Sequence, residues 1–326
     1  MKAVITDKRH KSDHIERSVL EPLGIAVESY LLTSEAEIIQ HCFDADALLV
    51  SHAAITRKIF ESLKKLKIVI KYGIGTDNID KVAAKEFGVI VSNVPRFCVE
   101  EVACQALNFI LDGIRKTSFF SSNVKKGIWL DDPSSQYISN PSKSTLGIVG
   151  YGNIGRYLQK ISSRIFNRII VFDPYIGPGK GNDSVGPDSR GVEFVHSLEE
   201  LFSTADAISI HTPLTDETRG SIDYPLLKMM NHGILVNTSR AQVIDRDALE
   251  RALEEGKIDY FGADVFWNEP CDYTDPRDIH LISDPRVVIT PHSGWYSKYS
   301  EEYVRRNAAE EVSRVLLGQD PHNRVA

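Results

Sequence analysis

The sequence predicts an α/β protein built from two doubly wound parallel sheets with a cleft between them. Up to about Val94, short runs of strand-forming residues, such as KAVIT and KIVIKYG, alternate with polar amphipathic stretches. The same alternation restarts at TLGIVGYG and continues to VVITPHS. Strands separated by helices are typical of parallel sheets, because parallel strands need long crossover connections. Two such series in a chain of 326 residues indicate two domains.

The long segment between the two series helps to place the domain boundaries. Residues 96–126 carry apolar side chains at helical spacing and predict one long helix that bridges two domains. Its apolar face is formed by Val102, Leu107, Ile110, Leu111 and Ile114. We expect one domain from residues 1–98 together with the helical segment 293–326, and the other from residues 99–292. A loop rich in Gly and Pro is expected at residues 177–191.

Composition excludes several classes of function. Hydrophobic residues make up 42% and charged residues 25%, which is typical of a globular protein, and the net charge of −7 disfavours a nucleic-acid partner. Apolar runs such as NFIL and RIIVF are too short to span a bilayer, and the amino end has no signal-like apolar segment. The four cysteines form no C-x-x-C pair, which predicts reduced thiols and no metal site. We therefore expect a cytoplasmic protein with no membrane partner.

A glycine-rich turn opens the second series. Gly150, Gly152 and Gly155 stand in the spacing G-x-G-x-x-G directly after the run LGIV. The first glycine permits a tight turn, the second lets the backbone approach a pyrophosphate, and the third lets helix and strand pack closely. Asn153 and Ile154 between them open the helix, whose amino end favours an anion.

An acidic residue completes this fingerprint. Asp173 follows Gly155 by 18 positions, at the end of the run RIIVF, where a carboxylate would accept hydrogen bonds from ribose hydroxyls. The same charge would repel a 2′-phosphate, so the sequence predicts NAD rather than NADP as the cofactor. The alternative is an ordinary glycine turn of an α/β domain. The coincidence of strand, helix and acid favours a Rossmann-like dinucleotide site in the second series. Because the first series shows the same alternation of strands and helices, both domains are expected to be Rossmann-like.

Three further polar side chains follow strand-like runs of the second series. Arg240 ends GILVNTSR, Glu269 lies in GADVFWNEP, and His292 lies in ITPHSGW. The carboxyl ends of parallel strands meet at the edge where a doubly wound sheet binds ligands, so we expect these side chains to converge. Each alone is more often an ordinary solvated or buried polar residue. Three in order beside a dinucleotide fingerprint indicate a catalytic set.

The residue types suit hydride transfer to a 2-oxo acid. Hydride addition builds negative charge on the carbonyl oxygen, which a protonated His292 could neutralise. A carboxylate such as Glu269 orients the ring and stabilises its charged form. The guanidinium of Arg240 could hold the substrate carboxylate through two hydrogen bonds.

In order and spacing, these segments resemble the D-isomer-specific 2-hydroxyacid dehydrogenase family. The resemblance covers nearly the whole chain and includes KYGIGTDNID, from Lys71 to Asp80. It implies that residues 99–292 form an NAD-binding Rossmann domain. Residues 1–98 with 293–326 would then form a flavodoxin-like, substrate-binding domain.

The resemblance also implies roles for individual residues. Arg240 would bind the substrate carboxylate and carbonyl, His292 would be the acid/base, and Glu269 would hold the histidine. Further cofactor contacts fall on Thr212, Pro213 and Asp264. Substrate contacts fall on His52, Gly73, Ile74, Gly75 and Trp295. Each has a structural alternative, such as a capped turn, a buried polar group or a packing aromatic.

Within the family, the chain is most similar to the branch of the C-terminal binding proteins, NAD-dependent corepressors of transcription. The likeness rests on His52 in LLVSHAAIT, on VPRFCVEEVA and on Trp295 in PHSGWYS. The chain departs from the family pattern at Ala241, where Gly usually follows the catalytic arginine, and at Gln105. Both changes could reshape the pocket.

Three functions remain open at this point. The first is NAD-dependent reduction of a 2-oxo acid to a D-2-hydroxy acid, and the second is the same chemistry on a 2-imino acid. The third is an NAD-sensing, corepressor-like interaction protein, which we would expect to carry a low-complexity tail; none follows in this sequence. We therefore favour the enzyme, expected as a homodimer with Tyr299 and Tyr303 in its interface.

Overall fold

The chain forms two compact units. The computed structural model describes residues 1–8, 10–130, 132, 136–177 and 191–326. One unit contains residues 1–97 and 296–326, and the other contains residues 98–295. The Gly- and Pro-rich loop expected at 177–191 lies, except for its two end residues, outside the described residues.

The first unit is a parallel sheet with flanking helices. Its strands are β1 (Lys2–Ile5), β2 (Ala26–Ser29), β3 (Ala47–Val50), β4 (Ile68–Lys71) and β5 (Ile90–Ser92). Its helices are α1 (His14–Leu20), α2 (Glu35–Cys42), α3 (Arg57–Ser62), α4 (Lys81–Glu86) and α12 (Lys298–Leu316). The strand order β2-β1-β3-β4-β5 is that of flavodoxin-like sheets.

Local sequence explains these elements. The central strand β3 reads ALLV and is buried throughout, as expected of a strand covered on both faces. Helix α2 begins with a capping box, in which Ser34 accepts from the amide of Glu37 and the Glu37 carboxylate accepts from that of Ser34. Asp80 caps α4 by accepting from the amide of Ala83 at 2.8 Å.

The second unit is a larger parallel sheet. Its strands are β6 (Thr145–Val149), β7 (Arg168–Phe172), β8 (Val192–Phe194), β9 (Ala207–Ile210), β10 (Gly233–Asn237), β11 (Ile258–Ala263) and β12 (Val287–Ile289). Its helices are α5 (Val99–Arg115), α6 (Thr117–Lys125), α7 (Asn153–Ser162), α8 (Leu198–Thr204), α9 (Tyr224–Leu227), α10 (Arg246–Glu254) and α11 (Pro276–Ser283).

The strand order of this unit is that of the Rossmann fold with one further edge strand. The order is β12-β11-β10-β9-β6-β7-β8. The order reverses between β6 and β9, and ligands of doubly wound sheets bind outside the carboxyl ends of the strands at such a point. The predicted fold class, two doubly wound parallel-sheet domains, is confirmed.

The single long helix predicted over residues 96–126 is wrong. The segment forms two helices, α5 and α6, with Lys116 between them in the left-handed conformation at φ 56°. The Lys116 ammonium donates to the carbonyl of Asp259 at 3.0 Å, and the Asp112 carboxylate accepts from the amide of Ser118 at 2.7 Å. The first contact is tertiary and the second is local, and helical periodicity alone reveals neither of them. Over the described residues, no helix combines the length and apolarity needed to cross a bilayer.

Candidate active site

The glycine turn lies between β6 and α7, at the point where the strand order reverses. Gly150 has φ 92°, and a Cβ there would meet the backbone of His211 at 2.9 Å. A Cβ on Gly155 would overlap the carbonyl oxygen of Gly150, whereas a Cβ on Gly152 would point into open space. The turn is therefore tight and closely packed at both ends, and its middle is accessible to a ligand at the amino end of α7.

Asp173 ties this turn to the end of β7. One carboxylate oxygen accepts from the amide of Tyr151 at 2.8 Å, and the other accepts from the amide of Tyr175 at 2.8 Å. A carboxylate can accept about four hydrogen bonds, so this arrangement is compatible with ribose hydroxyls as further donors.

Two buried hydroxyls lie beside the same edge of the sheet. Thr212 follows β9, Thr238 follows the neighbouring strand β10, and neither Oγ1 has a hydrogen-bond partner among the described residues. Buried polar atoms are rarely left without partners, so both hydroxyls fit a site that a polar ligand completes. Thr238 was missed by the sequence reasoning, because a threonine beside a strand carries no signal of its own.

His292 and Glu269 form a hydrogen-bonded pair. The Nδ1 atom of His292 lies 2.7 Å from Oε2 of Glu269, and Oε1 of Glu269 accepts from the amide of Phe266 at 3.0 Å. Burial alone would raise the pKa of Glu269. The hydrogen bond and charge of His292, the Phe266 amide and the charge of Arg240 outweigh burial and lower that pKa below its usual value. Glu269 is therefore a carboxylate at neutral pH.

Arg240 lies close enough to this pair for its charge to act on Glu269. It follows β10, and Nη1 donates to the carbonyl of Ser239 at 2.8 Å. The loop is held by Asn237, which is fully buried, donates to the carbonyl of Arg240 at 2.9 Å and accepts from the amide of Ser239 at 2.9 Å. Sequence reasoning missed Asn237, although Asn commonly bonds the backbone two residues further on. Ala241 begins a short 3₁₀ turn and needs no unusual backbone angle.

Asp264 is buried directly after β11. Its carboxylate accepts from the hydroxyl of Thr290 and from the amides of Ser293 and Gly294, the last at 2.7 Å. It therefore contacts residues on both sides of His292. Trp295 is partly buried and ends this unit.

The remaining sequence-predicted residues belong to the first unit. His52 follows β3, in a loop whose amides at Ser51 and Ala53 donate to the buried carboxylate of Asp7 at 2.8 and 3.0 Å. The loop of Gly73, Ile74 and Gly75 follows β4. Two residues that follow β5 hold this loop in place. The side chain of Asn93 donates to the carbonyl of Ile74 at 2.7 Å, and the amide of Val94 donates to the carbonyl of Gly73. Both loops lie at the carboxyl edge of their sheet.

Comparison with known proteins identifies relatives of the whole chain. Residues 107–294 match the model of the D-isomer specific 2-hydroxyacid dehydrogenase, NAD binding domain. D-3-phosphoglycerate dehydrogenase from Methanocaldococcus jannaschii is 35% identical over 100% of this chain, which spans 59% of that relative's length.

Several solved structures match the full length of this chain. The TT0316 protein of Thermus thermophilus is 29% identical with a TM-score of 0.85, and all of both chains is covered. An acyclic imino acid reductase, solved in complex with NADPH and D-Arg, is 25% identical with a TM-score of 0.85 and is likewise fully covered.

Proposed function

The chain belongs to the D-isomer specific 2-hydroxyacid dehydrogenase family, and we propose that it reduces a 2-oxo acid to a D-2-hydroxy acid with NADH. The observation that carries the proposal is the pair of His292 and Glu269, 2.7 Å apart, with the charge of Arg240 acting on it. The glycine turn between β6 and α7 lies in the same unit. Together these groups supply what hydride transfer to a carbonyl requires of a protein.

The cofactor site is assigned to the turn and the strand ends around it. Gly150, Gly152, Asn153, Ile154 and Gly155 would hold the pyrophosphate at the amino end of α7. Asp173 would bind the adenosine ribose, and Thr212, Pro213 and Asp264 would line the rest of the site. Bound NADH would supply the hydride. Because Asp173 carries the charge that a 2′-phosphate would meet, NADH is the expected form.

His292 is assigned the proton transfer. Its Nδ1 faces Glu269, so a protonated ring holds its second proton on Nε2, where it is available to the oxygen of the substrate carbonyl. Glu269 keeps the ring in this orientation and stabilises its positive charge. The ring returns to the protonated form by taking a proton from water after the product leaves.

Arg240 and the loops of the first unit are assigned to the substrate. The guanidinium of Arg240 would bind the carboxylate and polarise the carbonyl, which fixes the face that receives hydride. The loop of Gly73, Ile74 and Gly75 would bind the substrate through its backbone amides. His52 and Trp295 would shape the pocket for the substrate side chain.

A 2-imino acid is the second candidate substrate. The similarity to an acyclic imino acid reductase over the full chain favours it, and a carboxylate grip with a proton donor serves a C=N bond equally well. That relative was solved with NADPH, whereas we expect Asp173 to favour NADH in this chain.

We further propose a cytoplasmic homodimer. All four cysteines are unpaired, as expected in a reducing compartment. Helix α6 has no buried residue and is followed by Ile128 and Trp129, which are 47% and 77% exposed, so this segment offers apolar surface to a second copy. Tyr299 is 71% exposed and in ring contact with Tyr303, so this pair offers a second exposed aromatic surface. Sedimentation velocity would show a monomer if this proposal is wrong.

A substrate panel tests the function. NADH oxidation is measured with pyruvate, phenylpyruvate, 4-methyl-2-oxovalerate, glyoxylate, hydroxypyruvate and 3-phosphohydroxypyruvate, and each acid is repeated with ammonia to form the imine. We expect medium apolar side chains to be preferred, because the segment from Lys71 to Asp80 contains no arginine cluster for a phosphate. Fastest turnover of the phosphorylated acid would overturn the substrate assignment. NADH binding without turnover of any acid would favour an NAD-sensing protein.

A further inference from the structure

The backbone of His292 adopts an unusual conformation. Its φ of 51° lies in the left-handed region, which residues with a Cβ seldom enter because the Cβ approaches backbone oxygen. Such a conformation persists only where surrounding contacts hold it, and such residues often belong to functional sites. The contacts that hold His292 therefore also determine where its imidazole meets Glu269.

Thr290 holds the residue from the amino-terminal side. Its carbonyl accepts from the amide of His292 at 2.9 Å, and its own amide donates to the carbonyl of Ala263 at the end of β11, also at 2.9 Å. The segment that precedes His292 is thus attached to the sheet.

Asp264 holds the residue from the other side and joins the two sides. Its Oδ1 accepts from the amide of Ser293 at 2.9 Å and its Oδ2 accepts from the amide of Gly294 at 2.7 Å. The hydroxyl of Thr290 donates to the same Oδ1. One carboxylate, only 4% exposed, therefore binds the residues before and after His292 at once.

The space around this carboxylate is filled. A Cβ on Gly294 would lie 2.7 Å from Oδ2 of Asp264 and 3.2 Å from the side chain of Gln105, which comes from α5. The amide of Gln105 in turn lies 3.4 Å from the hydroxyl of Thr290. A side chain at position 294 would therefore push Asp264 out of place.

We propose that Thr290 is a positioning residue for the acid/base histidine, acting with Asp264 as a clamp on the left-handed backbone of His292. The clamp consists of the Asp264 carboxylate, the Thr290 hydroxyl and the amides of Ser293 and Gly294. Thr290 keeps Nδ1 of His292 in register with Glu269. This inference rests on the proposed function and gives Asp264 a role beyond its expected cofactor contact.

The test compares Thr290→Val, which removes the hydroxyl at nearly constant volume, with Thr290→Ser, which keeps it. Thr290→Val should lower kcat about tenfold or more while KM for NADH changes less than about threefold, because Asp264 still accepts from the amides of Ser293 and Gly294 and the change falls on the position of the proton donor. Thr290→Ser should keep most of the kcat of the unaltered protein. Thr33→Val, which removes a hydroxyl bound to the exposed Glu37 carboxylate, is the matched control and should leave kcat unchanged.

A measurement without turnover separates the clamp from the proposed function. The imidazole nitrogen signals of His292 are recorded by NMR at one fixed pH, in the unaltered protein and in Thr290→Val. Loosening the contact with Glu269 should shift the Nδ1 signal, because Nδ1 loses part of its hydrogen bond to the carboxylate. If Thr290→Val does not fold, Gly294→Ala, which displaces Asp264, should give the same shift.

The outcomes are distinct. An unchanged kcat and an unchanged Nδ1 signal of His292 in a folded Thr290→Val protein, with only a lower Tm, would show a merely structural hydroxyl and overturn the clamp. Failure of Thr290→Ser to recover activity would also overturn it. A shifted Nδ1 signal in Thr290→Val, in a protein that reduces no oxo or imino acid, would keep the clamp and reject the proposed function.

Discussion

The buried carboxylate of Asp278 is expected to be among the most sensitive positions in the second unit. Its side chain is fully buried in α11 and accepts from Arg246 at 2.7 Å, from the side-chain amide of Asn268 at 2.9 Å and from the backbone amide of Asp272 at 2.9 Å. Residues 268 and 272 flank Glu269. Asp278→Asn keeps the shape, removes the charge and leaves three donors with one weak acceptor.

The size of the effect follows from these contacts. Removing one partner of a buried ion pair costs about 3–5 kcal/mol. Arg246 keeps a hydrogen bond to Glu250 at 2.8 Å, so the lower end of the range, about 3 kcal/mol, applies here. For a unit of this size, each kcal/mol lowers Tm by roughly 2–4 °C, so the expected fall in Tm is about 6–12 °C. Asp247→Asn is the matched control. It removes the partner of Arg277 at a site where the Asp247 side chain is 84% exposed, and it should lower the free energy of unfolding by about 0–1 kcal/mol.

The assay is thermal unfolding of both variants as a function of pH. Burial alone would raise the pKa of Asp278, but Asn268, the Asp272 amide and Arg246 outweigh it and hold that pKa below its usual 3.8. A carboxyl whose pKa is lowered by folding contributes stability that is present above its unfolded pKa and lost as pH falls through the folded value. The loss of stability caused by Asp278→Asn should therefore be largest between pH 5 and 8 and become smaller below about pH 4. An equal Tm loss in both variants, or a deficit independent of pH, would refute the reasoning.

Four further predictions concern the site. His292→Ala should lower kcat by roughly two to four orders of magnitude and leave the Kd of NADH within about threefold, measured by stopped-flow kinetics and fluorescence titration. Glu269→Gln should lose more activity at pH 8 than at pH 5.5. The lowered pKa of Glu269 keeps its carboxylate charged across this range, and this charge matters most at pH 8, where fewer protons are available to the ring. A ratio of variant to unaltered kcat that does not change with pH would contradict this. Arg240→Lys should raise KM for the oxo acid and lower kcat together, since an ammonium cannot form the two-point contact. NADH should exceed NADPH in kcat/KM by about tenfold or more, and Asp173→Ser should narrow this gap; equal use of both by the unaltered protein would contradict the assignment.

The sequence by itself determined the fold class and the family. Alternation of strand-like runs with amphipathic stretches is a local property, because side-chain periodicity is set by the geometry of each element. The glycine turn is local for the same reason: the φ of 92° at Gly150 and the close approach at Gly155 are requirements that only glycine meets. Comparison with known proteins confirmed the family and its NAD-binding domain.

Contacts between distant segments were decided only by the tertiary structure. Helix α5 ends at Arg115, and the ammonium of the next residue, Lys116, donates to the carbonyl of Asp259 on β11; no periodicity encodes that partner. Asp264 was expected at the cofactor, and nothing in GADVF indicates its bonds to Thr290 and Gly294. Asp278, which accepts from Asn268, had no sequence signal at all. A buried polar group must find its hydrogen-bond partners wherever packing places them, and that placement depends on how all the elements pack.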